Sequence, residues 1–192
     1  MKNTFLIAFI LLSSASCGKK EYFKEVISQK EVTLSLHEED NEKYLTLNIP
    51  VEFELNFNSS KLISAIPYYK IDGKHLMIGT DYLMYNKVNN KLLWGFDSFA
   101  PYSYPKRIYF MTRKRKISEQ QALTLIKKYN PNASLSSLQR RHHDTIDLIP
   151  YQKFRKDHPE FLQEMRKTPD SLIMNMWFGG NDKRVIKQKI NW

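Results

Sequence analysis

One stretch of the sequence, residues 45–57, constrains the fold more than any other. Its odd positions are all apolar, while its even positions carry threonine, asparagine, proline and glutamate; the apolar residues are Leu45, Leu47, Ile49, Val51, Phe53, Leu55 and Phe57. A period of two indicates a β-strand with one buried face and one wet face. Because Pro50 cannot donate to a ladder, we expect the strand to lie at an edge there or to bend into two pieces.

Turn sequences further along the chain predict a series of hairpins. Asp72-Gly73 separates two strand-like segments, residues 65–71 and 75–79, and glycine accepts the positive φ of a tight turn. Asn89-Asn90 separates a second pair of segments, and Gly179-Gly180 a third pair that ends with Trp192. Apolar patterns over residues 32–36, 107–113 and 145–149 add further strands. We expect Trp192 to be packed against the domain.

Two segments have the marks of helices. Ser118 and Gln121 have the spacing of a capping box, and an apolar stripe at helical spacing follows, formed by Ala122, Leu123, Ile126 and Tyr129. Asp157 and Glu160 repeat the capping-box spacing before a second predicted helix, over about residues 159–167. Short strands with tight turns and two helices predict an α+β fold, mainly antiparallel β, in which a sandwich-like sheet domain carries the helices.

The first seventeen residues have the parts of a secretory signal peptide. Lys2 supplies a positive start, residues 5–12 form an unbroken apolar run, and residues 13–16 are small. Eight apolar residues rise about 12 Å as a helix, which is short of a bilayer core of about 30 Å. We therefore expect export rather than a permanent transmembrane helix.

Cys17 follows the small residues directly, and it is the only cysteine in 192 residues. The segment from Ser14 to Cys17 resembles the lipobox of bacterial lipoprotein precursors, with Ser14 where that family usually has leucine. The resemblance implies cleavage before Cys17 and acylation of Cys17. Gly18 is not the aspartate that retains many such proteins in the inner membrane, and Lys19-Lys20 is not an acidic export signal. The resemblance thus favours the bacterial cell envelope, at the outer membrane and facing the periplasm.

These observations divide the chain into three parts. Residues 1–16 form the expected signal peptide, residues 17–30 the expected lipidated tether, and residues 31–192 a single β-rich globular domain. The chain has no second cysteine with which to form a disulfide, so the fold must rest on burial and hydrogen bonding.

The net charge of +10 is spread unevenly along the sequence. Residues 17–100 carry 10 Lys or Arg against 12 Asp or Glu, whereas residues 101–192 carry 19 against 8. Two basic runs stand out, and they predict a patch for an anionic partner, formed by Arg113, Lys114, Arg115, Lys116, Arg140 and Arg141. A solvated basic face without a dedicated ligand is the simpler interpretation. No nucleic acid is expected as a partner of an exported protein.

The sequence carries no established catalytic pattern. It has no nucleophile elbow, phosphate loop or dinucleotide fingerprint. His142-His143, with Asp144 and Asp147 nearby, lacks the spacing of a metal site, since adjacent residues of a strand point to opposite faces. We expect no cofactor and no metal, and we place Glu52 and Glu54 on the wet face of the first strand described above.

Seven aromatic residues fall between Trp94 and Phe110, around a loop with two prolines. Tyr102 and Tyr104 form a possible stacking loop for a sugar or a peptide. The alternative is structural: Trp94, Phe96 and Phe110 would be core residues, and the tyrosines would cover the base of the loop.

Taken together, these features favour a non-enzymatic, membrane-anchored envelope lipoprotein that binds another envelope component or an assembly partner. Two alternatives belong to other classes: a glycan-binding lipoprotein, or an immunity or inhibitor protein whose basic half covers an acidic toxin. A hydrolase would require histidine and carboxylate side chains that converge in a deep pocket.

Overall fold

The computed structural model describes residues 21–39, 41–57, 61–96, 104–139 and 144–192. Within these ranges the chain forms two antiparallel sheets and three short α-helices. The predicted class, mainly antiparallel α+β with a sandwich-like arrangement, is confirmed, with one helix more than expected. In chain order the strands are β1 (Phe23–Val26), β2 (Glu31–Glu39), β3 (Glu42–Leu55), β4 (Ser64–Ile71), β5 (Lys74–Leu76), β6 (Met84–Asn86), β7 (Leu92–Leu93), β8 (Arg107–Ile117), β9 (Thr145–Pro150), β10 (Ser171–Trp177) and β11 (Lys183–Lys189).

The larger sheet is organised around β3. Its strand order is β7-β6-β8-β3-β2-β9, and β1 also pairs with β3. β8 occupies one edge of β3, while β2 and β1 share the other edge: β2 pairs with residues 42–48 and β1 with residues 52–55. Pro50 lies between these two pairings and beside a bulge in the β8 ladder, so its missing N–H falls where the pairing changes. β3 is continuous, so the expected division into two pieces is wrong, whereas residues 49–51 have no ladder partner on the side of β1 and β2, which agrees with the expected local edge.

The smaller sheet has the order β11-β10-β4-β5. The predicted hairpin at Asp72-Gly73 joins β4 to β5, and both turn residues have positive φ, 48° and 78°. The predicted hairpin at Gly179-Gly180 joins β10 to β11 over seven residue pairs. Because such short turns set the register of the strands that they join, both hairpins could be predicted from the sequence.

Aromatic side chains join the two sheets. Phe110 of β8 is fully buried and stacks on Tyr69 of β4, with 5.3 Å between ring centroids. Phe110 also meets Tyr82 and Phe53 in edge contacts at 5.4 and 5.9 Å. Phe96 is buried as expected, but Trp94 is 66% exposed, because its neighbour Leu93 takes the inward position of the two-residue strand β7. The expectation that Trp94 is a core residue is therefore wrong.

The globular fold begins before residue 31. β1, within the segment assigned to the tether, pairs with β3, and Tyr22 and Phe23 are both buried. Phe23 packs against Phe53 with 6.0 Å between the rings. The four residues of β1 are too few to show a strand pattern in the sequence. They form a strand because the edge of β3 beyond Pro50 is not paired with β2.

The first helix, α1 (Glu119–Tyr129), begins with the predicted capping box. The Gln121 amide donates to Ser118 Oγ at 3.2 Å, and the Ser118 amide donates to Gln121 Oε1 at 2.9 Å. Its buried residues are Ala122, Leu125 and Ile126, so the inclusion of Leu123, which is half exposed, in the apolar stripe was wrong. A 3₁₀ helix over Leu135–Gln139 leads towards β9.

The second predicted helix is confirmed as α3 (Pro159–Met165), and a further short helix that was not predicted, α2 (Tyr151–Asp157), precedes it. The expected Asp157 capping box is wrong, since His158 is the N-cap of α3 and makes no side-chain cap bond. Instead, the Tyr129 hydroxyl donates to Asp157 Oδ2 at 2.8 Å, which ties α1 to the end of α2. No helix in the described ranges has the length and apolar character needed to cross a bilayer.

The last residues of the chain pack into the domain, as predicted for Trp192. Trp192 is 1% exposed, and its indole N–H donates to the buried Asp170 carboxylate at 2.8 Å. The Asn191 amide donates to Glu25 Oε2 at 2.7 Å, which links this segment to β1. Arg155 and Arg166 both donate to the main-chain oxygen of Trp192.

Candidate functional site

A polar groove runs over the outer face of the larger sheet, on the side away from the smaller sheet. Across the β2–β3 ladder, Thr33 lies opposite Asn48 and Ser35 lies opposite Thr46, so all four side chains point outward. These four residues are nevertheless buried, and Thr46 is only 1% exposed. The prediction that the even-numbered residues of β3 are exposed to water is therefore wrong at Thr46 and Asn48. Longer side chains on the flanking strands cover these small residues.

The floor of the groove is a closed hydrogen-bond network. Asn48 Nδ2 donates to Thr33 Oγ1 at 3.2 Å and to Ser35 Oγ at 2.8 Å. The hydroxyls of Ser35 and Thr46 are 2.8 Å apart and share a hydrogen bond. Because the four side chains hold one another, they present their remaining donors and acceptors in fixed directions.

One wall of the groove is a pair of stacked tyrosines. Tyr85 of β6 and Tyr109 of β8 are directly opposite in the ladder, with ring centroids 5.1 Å apart and planes inclined by 16°. Lys30 Nζ lies 4.7 Å from the Tyr109 centroid and donates to Asn90 Oδ1 at 2.8 Å. The Tyr109 hydroxyl donates to the same oxygen at 3.3 Å. Burial, followed by the neighbouring Tyr85, raises the pKa of Tyr109 to about 12, so its hydroxyl stays protonated at neutral pH.

A buried carboxylate stabilises the sheet next to the tyrosine wall. Glu52 of β3 is 2% exposed, contrary to the wet-face position predicted for it. It lies 3.4 Å from Lys87 and 3.6 Å from Arg107, and Ser28 Oγ donates to it at 3.0 Å. Two cations and one hydroxyl thus compensate the burial of this charge.

The groove encloses about 720 Å³. Its rim carries one cation, Lys30, and two carboxylates, Glu31 and Asp147. The lining is formed by Lys30, Glu31, Thr33, Ser35, His37, Asn48, Leu83, Tyr85, Asn90, Tyr109, Thr145 and Asp147. Hydroxyl, amide and aromatic groups in an open trough suit an extended ligand that carries many hydrogen-bonding groups and little net charge.

The basic run from Arg113 to Lys116 is part of β8 and pairs with β3 as far as Ile117. The run therefore lies within the larger sheet and does not extend beyond its edge. The ladder divides the charges, since Lys114 and Lys116 face outward opposite Asn48 and Thr46, whereas Arg115 lies opposite Leu47.

Arg115 is engaged on the inner side of this strand. It forms an ion pair with Glu164 of α3, and its guanidinium lies 4.9 Å from the centroid of the Phe161 ring. Lys116 lies 3.8 Å above the ring of Tyr44. Of the predicted anionic-partner patch, the described side chains that remain exposed are therefore Lys114 and Lys116. The Arg113 side chain and both Arg140 and Arg141 lie outside the described residues.

The proposed stacking loop is described only at Tyr104, because Tyr102 lies outside the described residues. Tyr104 is half-buried and makes perpendicular contacts with Phe57 and Phe96, with ring centroids 5.3 and 6.2 Å apart. Its hydroxyl donates to the Leu62 carbonyl at 3.3 Å. These contacts give Tyr104 a structural role at the edge of the core.

Metal-binding side chains do not cluster in the described part of the chain, where no group of three or more His, Cys, Asp or Glu could hold an ion. His142 and His143 lie outside the described residues. The candidate site residues that the sequence did not reveal are those of the groove floor. The sequence marks them only by placing small hydroxyl and amide residues, rather than charged ones, at successive outward positions of β2 and β3.

Comparison with known proteins assigns this chain to no group. No family model matches it, and neither a curated protein nor a solved structure shows significant similarity to it.

Proposed function

We propose that this protein is a non-enzymatic, lipid-anchored lipoprotein of the bacterial cell envelope, which binds another envelope component in the polar groove. The observation that carries the binding role is the groove floor, where Thr33, Ser35, Thr46 and Asn48 are buried yet polar. Buried polar groups on an outer sheet face cost stability unless they are satisfied, and here they satisfy one another. Such a prearranged surface is typical of a recognition site.

The anchor in this proposal is Cys17, five residues before the buried Tyr22. Five extended residues span at most about 18 Å, so an acylated Cys17 would hold the domain close to the bilayer. Three acyl chains, as the lipoprotein resemblance implies, anchor a protein stably without further contacts.

Labelling with radioactive palmitate tests the anchor. We expect the wild-type protein to incorporate label and to fractionate with the envelope, and Cys17→Ala to lose both properties because no other thiol exists in the chain. Ser16→Ala serves as the control and keeps the label, since small residues are accepted before the cysteine. An unlabelled wild-type protein would refute lipidation.

A neutral glycan is the class of ligand that the groove favours, in place of the Tyr102/Tyr104 loop. Sugars offer hydroxyl groups to Asn48, Asp147 and Lys30, and apolar ring faces to tyrosine. The two carboxylates and single lysine of the rim suit a neutral chain better than a strongly anionic one. This candidate makes the groove, rather than the basic half of the sequence, the recognition surface.

Affinity electrophoresis in gels that contain soluble neutral polysaccharides or peptidoglycan strands tests this candidate. We expect the wild type to be retarded, and Tyr85→Ala combined with Asp147→Ala to lower the affinity at least about tenfold, since each lost contact contributes on the order of 1 kcal/mol. Tyr68→Ala combined with Glu38→Ala also removes one tyrosine and one carboxylate, but outside the groove, and should leave retardation unchanged. Equal retardation of both double variants would exclude the groove as the glycan site.

A further inference from the structure

The outer face of the smaller sheet is the second surface with a distinct composition. Alternate residues of β4 and β10 project outward from it, and several are large and apolar: Ile66 is 41% exposed, Tyr68 39% and Trp177 39%. Ile173 lies between Tyr68 and Lys187 in the ladder, and Val185 of β11 is 72% exposed. A group of large apolar residues on an outer sheet surface, here interrupted only by Asn175 between Ile66 and Val185, indicates a contact with another phase or partner.

Lysines lie along one side and at one end of this apolar face. Lys183 lies opposite Trp177, Lys187 opposite Ile173, and Ser171 lies between Lys70 and Lys189. None of the four lysines forms an ion pair within the described part of the chain, and none of their ladder partners is acidic. The face therefore combines apolar residues with lysines along β11 and beside β4, and the nearby carboxylate of Asp182 is paired with Arg184.

The beginning of the described chain lies beside the same hairpin. The Tyr22 ring lies 5.5 Å from Phe178, and Arg184 donates to the Tyr22 hydroxyl at 2.6 Å. Phe178 directly follows Trp177, and Arg184 directly follows Lys183. Cys17 lies within about 18 Å of Tyr22 along the chain, so a lipid on Cys17 would bring the bilayer to this edge of the sheet.

We propose that the outer face of the four-stranded sheet lies against an anionic phospholipid surface. Trp177 and Tyr68 would lie at the level of the headgroups, and Lys70, Lys183, Lys187 and Lys189 would meet lipid phosphates. The orientation of the domain rests on the lipid anchor of the proposed function. The apolar and basic composition of the face is independent of that anchor. In this orientation the groove, on the opposite face of the sandwich, opens away from the membrane.

Amine footprinting of the full chain on vesicles tests the proposal. The protein is reconstituted into phosphatidylcholine vesicles with or without phosphatidylglycerol, and each lysine is labelled with a water-soluble acylating reagent. On phosphatidylglycerol vesicles we expect slower labelling of Lys183 and Lys187 and unchanged labelling of Lys114 and Lys116. On pure phosphatidylcholine we expect all four to react alike, because the anchor holds the protein without engaging the face.

Two charge-matched variants locate the contact. Lys183→Gln with Lys187→Gln should abolish protection of Lys70 and Lys189, since each lysine at an anionic surface accounts for about a fivefold change in affinity. Lys114→Gln with Lys116→Gln removes the same charge from the opposite face and should leave protection intact. Matching circular dichroism spectra establish that both variants are folded.

The outcomes separate the anchor from the docking face. Protein that leaves phosphatidylcholine vesicles yet is protected on phosphatidylglycerol vesicles would refute the anchor and support the face. Protein that stays on both kinds of vesicle with equal labelling of all lysines would overturn the face. Protection by soluble polyglutamate but not by phosphatidylglycerol vesicles would assign the face to an acidic protein and would also overturn the proposal.

Discussion

Trp192→Ala should lower the free energy of unfolding more than almost any other single substitution. Removing a buried indole from a packed site costs about 4 kcal/mol, and the lost hydrogen bond to the buried Asp170 adds about 1 to 2 kcal/mol. The total is a large share of the roughly 5 to 15 kcal/mol that stabilises a domain. For a chain of this size we expect the melting temperature to fall by about 15 °C.

The size of the effect follows from what Trp192 holds together. Asp170, its hydrogen-bond partner, also accepts from the Asp72 amide at 2.9 Å, so the β4–β5 turn depends on the same carboxylate. Arg155 of α2 and Arg166, just after α3, donate to the Trp192 main-chain oxygen. Loss of the indole therefore loosens a junction of two helices and one hairpin.

Thermal melts of Trp192→Ala, Trp192→Phe and Asn191→Ala separate the contribution of the indole volume from that of its hydrogen bond. Trp192→Phe keeps most of the volume and loses the N–H donor, so it should cost about 2 kcal/mol. Asn191→Ala leaves the indole and the main-chain amide in place and should cost less than about 1 kcal/mol. A Trp192→Ala protein with the wild-type melting temperature would show that the final residues do not stabilise the domain.

Phe110→Ala is the second substitution with a large expected effect. Phe110 is fully buried between the sheets, and its truncation should cost about 4 kcal/mol through the cavity it leaves and the aromatic contacts it removes. The stacked ring of Tyr69 belongs to the other sheet, so the lost contact is one that joins the two layers. Urea unfolding, followed by far-ultraviolet circular dichroism, measures the shift in midpoint.

Two controls accompany Phe110→Ala. Phe110→Leu refills much of the cavity and should recover at least about half of the lost free energy of unfolding. Trp94→Ala removes an aromatic residue of comparable size, but one that is 66% exposed, and should change stability by less than about 1 kcal/mol. Equal midpoints for Phe110→Ala and Trp94→Ala would contradict the assigned core.

Sequence patterns predicted the elements whose cause is local. The alternation of β3 identifies its buried residues Leu47, Ile49 and Phe53, because a period of two needs no knowledge of partners. The Asp72-Gly73 turn and the Ser118 capping box were predicted for the same reason, since each satisfies its own backbone groups within a few residues.

The features that escaped prediction depend on distant parts of the chain. Burial of Thr46 and Asn48 arises only when β2 aligns Thr33 and Ser35 with them on one side and β8 places Lys116 and Lys114 on the other. β1 is a strand because β3 leaves an edge open for it, which four residues cannot reveal on their own. Trp94 is exposed because Leu93 takes the inward position in the two-residue strand β7. Two residues are too few for the sequence to show which of them faces the core.

The shared edge of β3 has a mechanical consequence. β1 pairs with the end of β3 near Leu55, and the groove floor lies at Thr46 and Asn48, further along the same strand. Under the proposed function, a pull between a lipid on Cys17 and a ligand in the groove would load the β1–β3 ladder along the direction of β3. The ladder hydrogen bonds lie across that direction, so they are loaded together in shear instead of being unzipped one by one. The strand that contributes to the groove floor would thus also be the strand that links the proposed anchor to the proposed ligand.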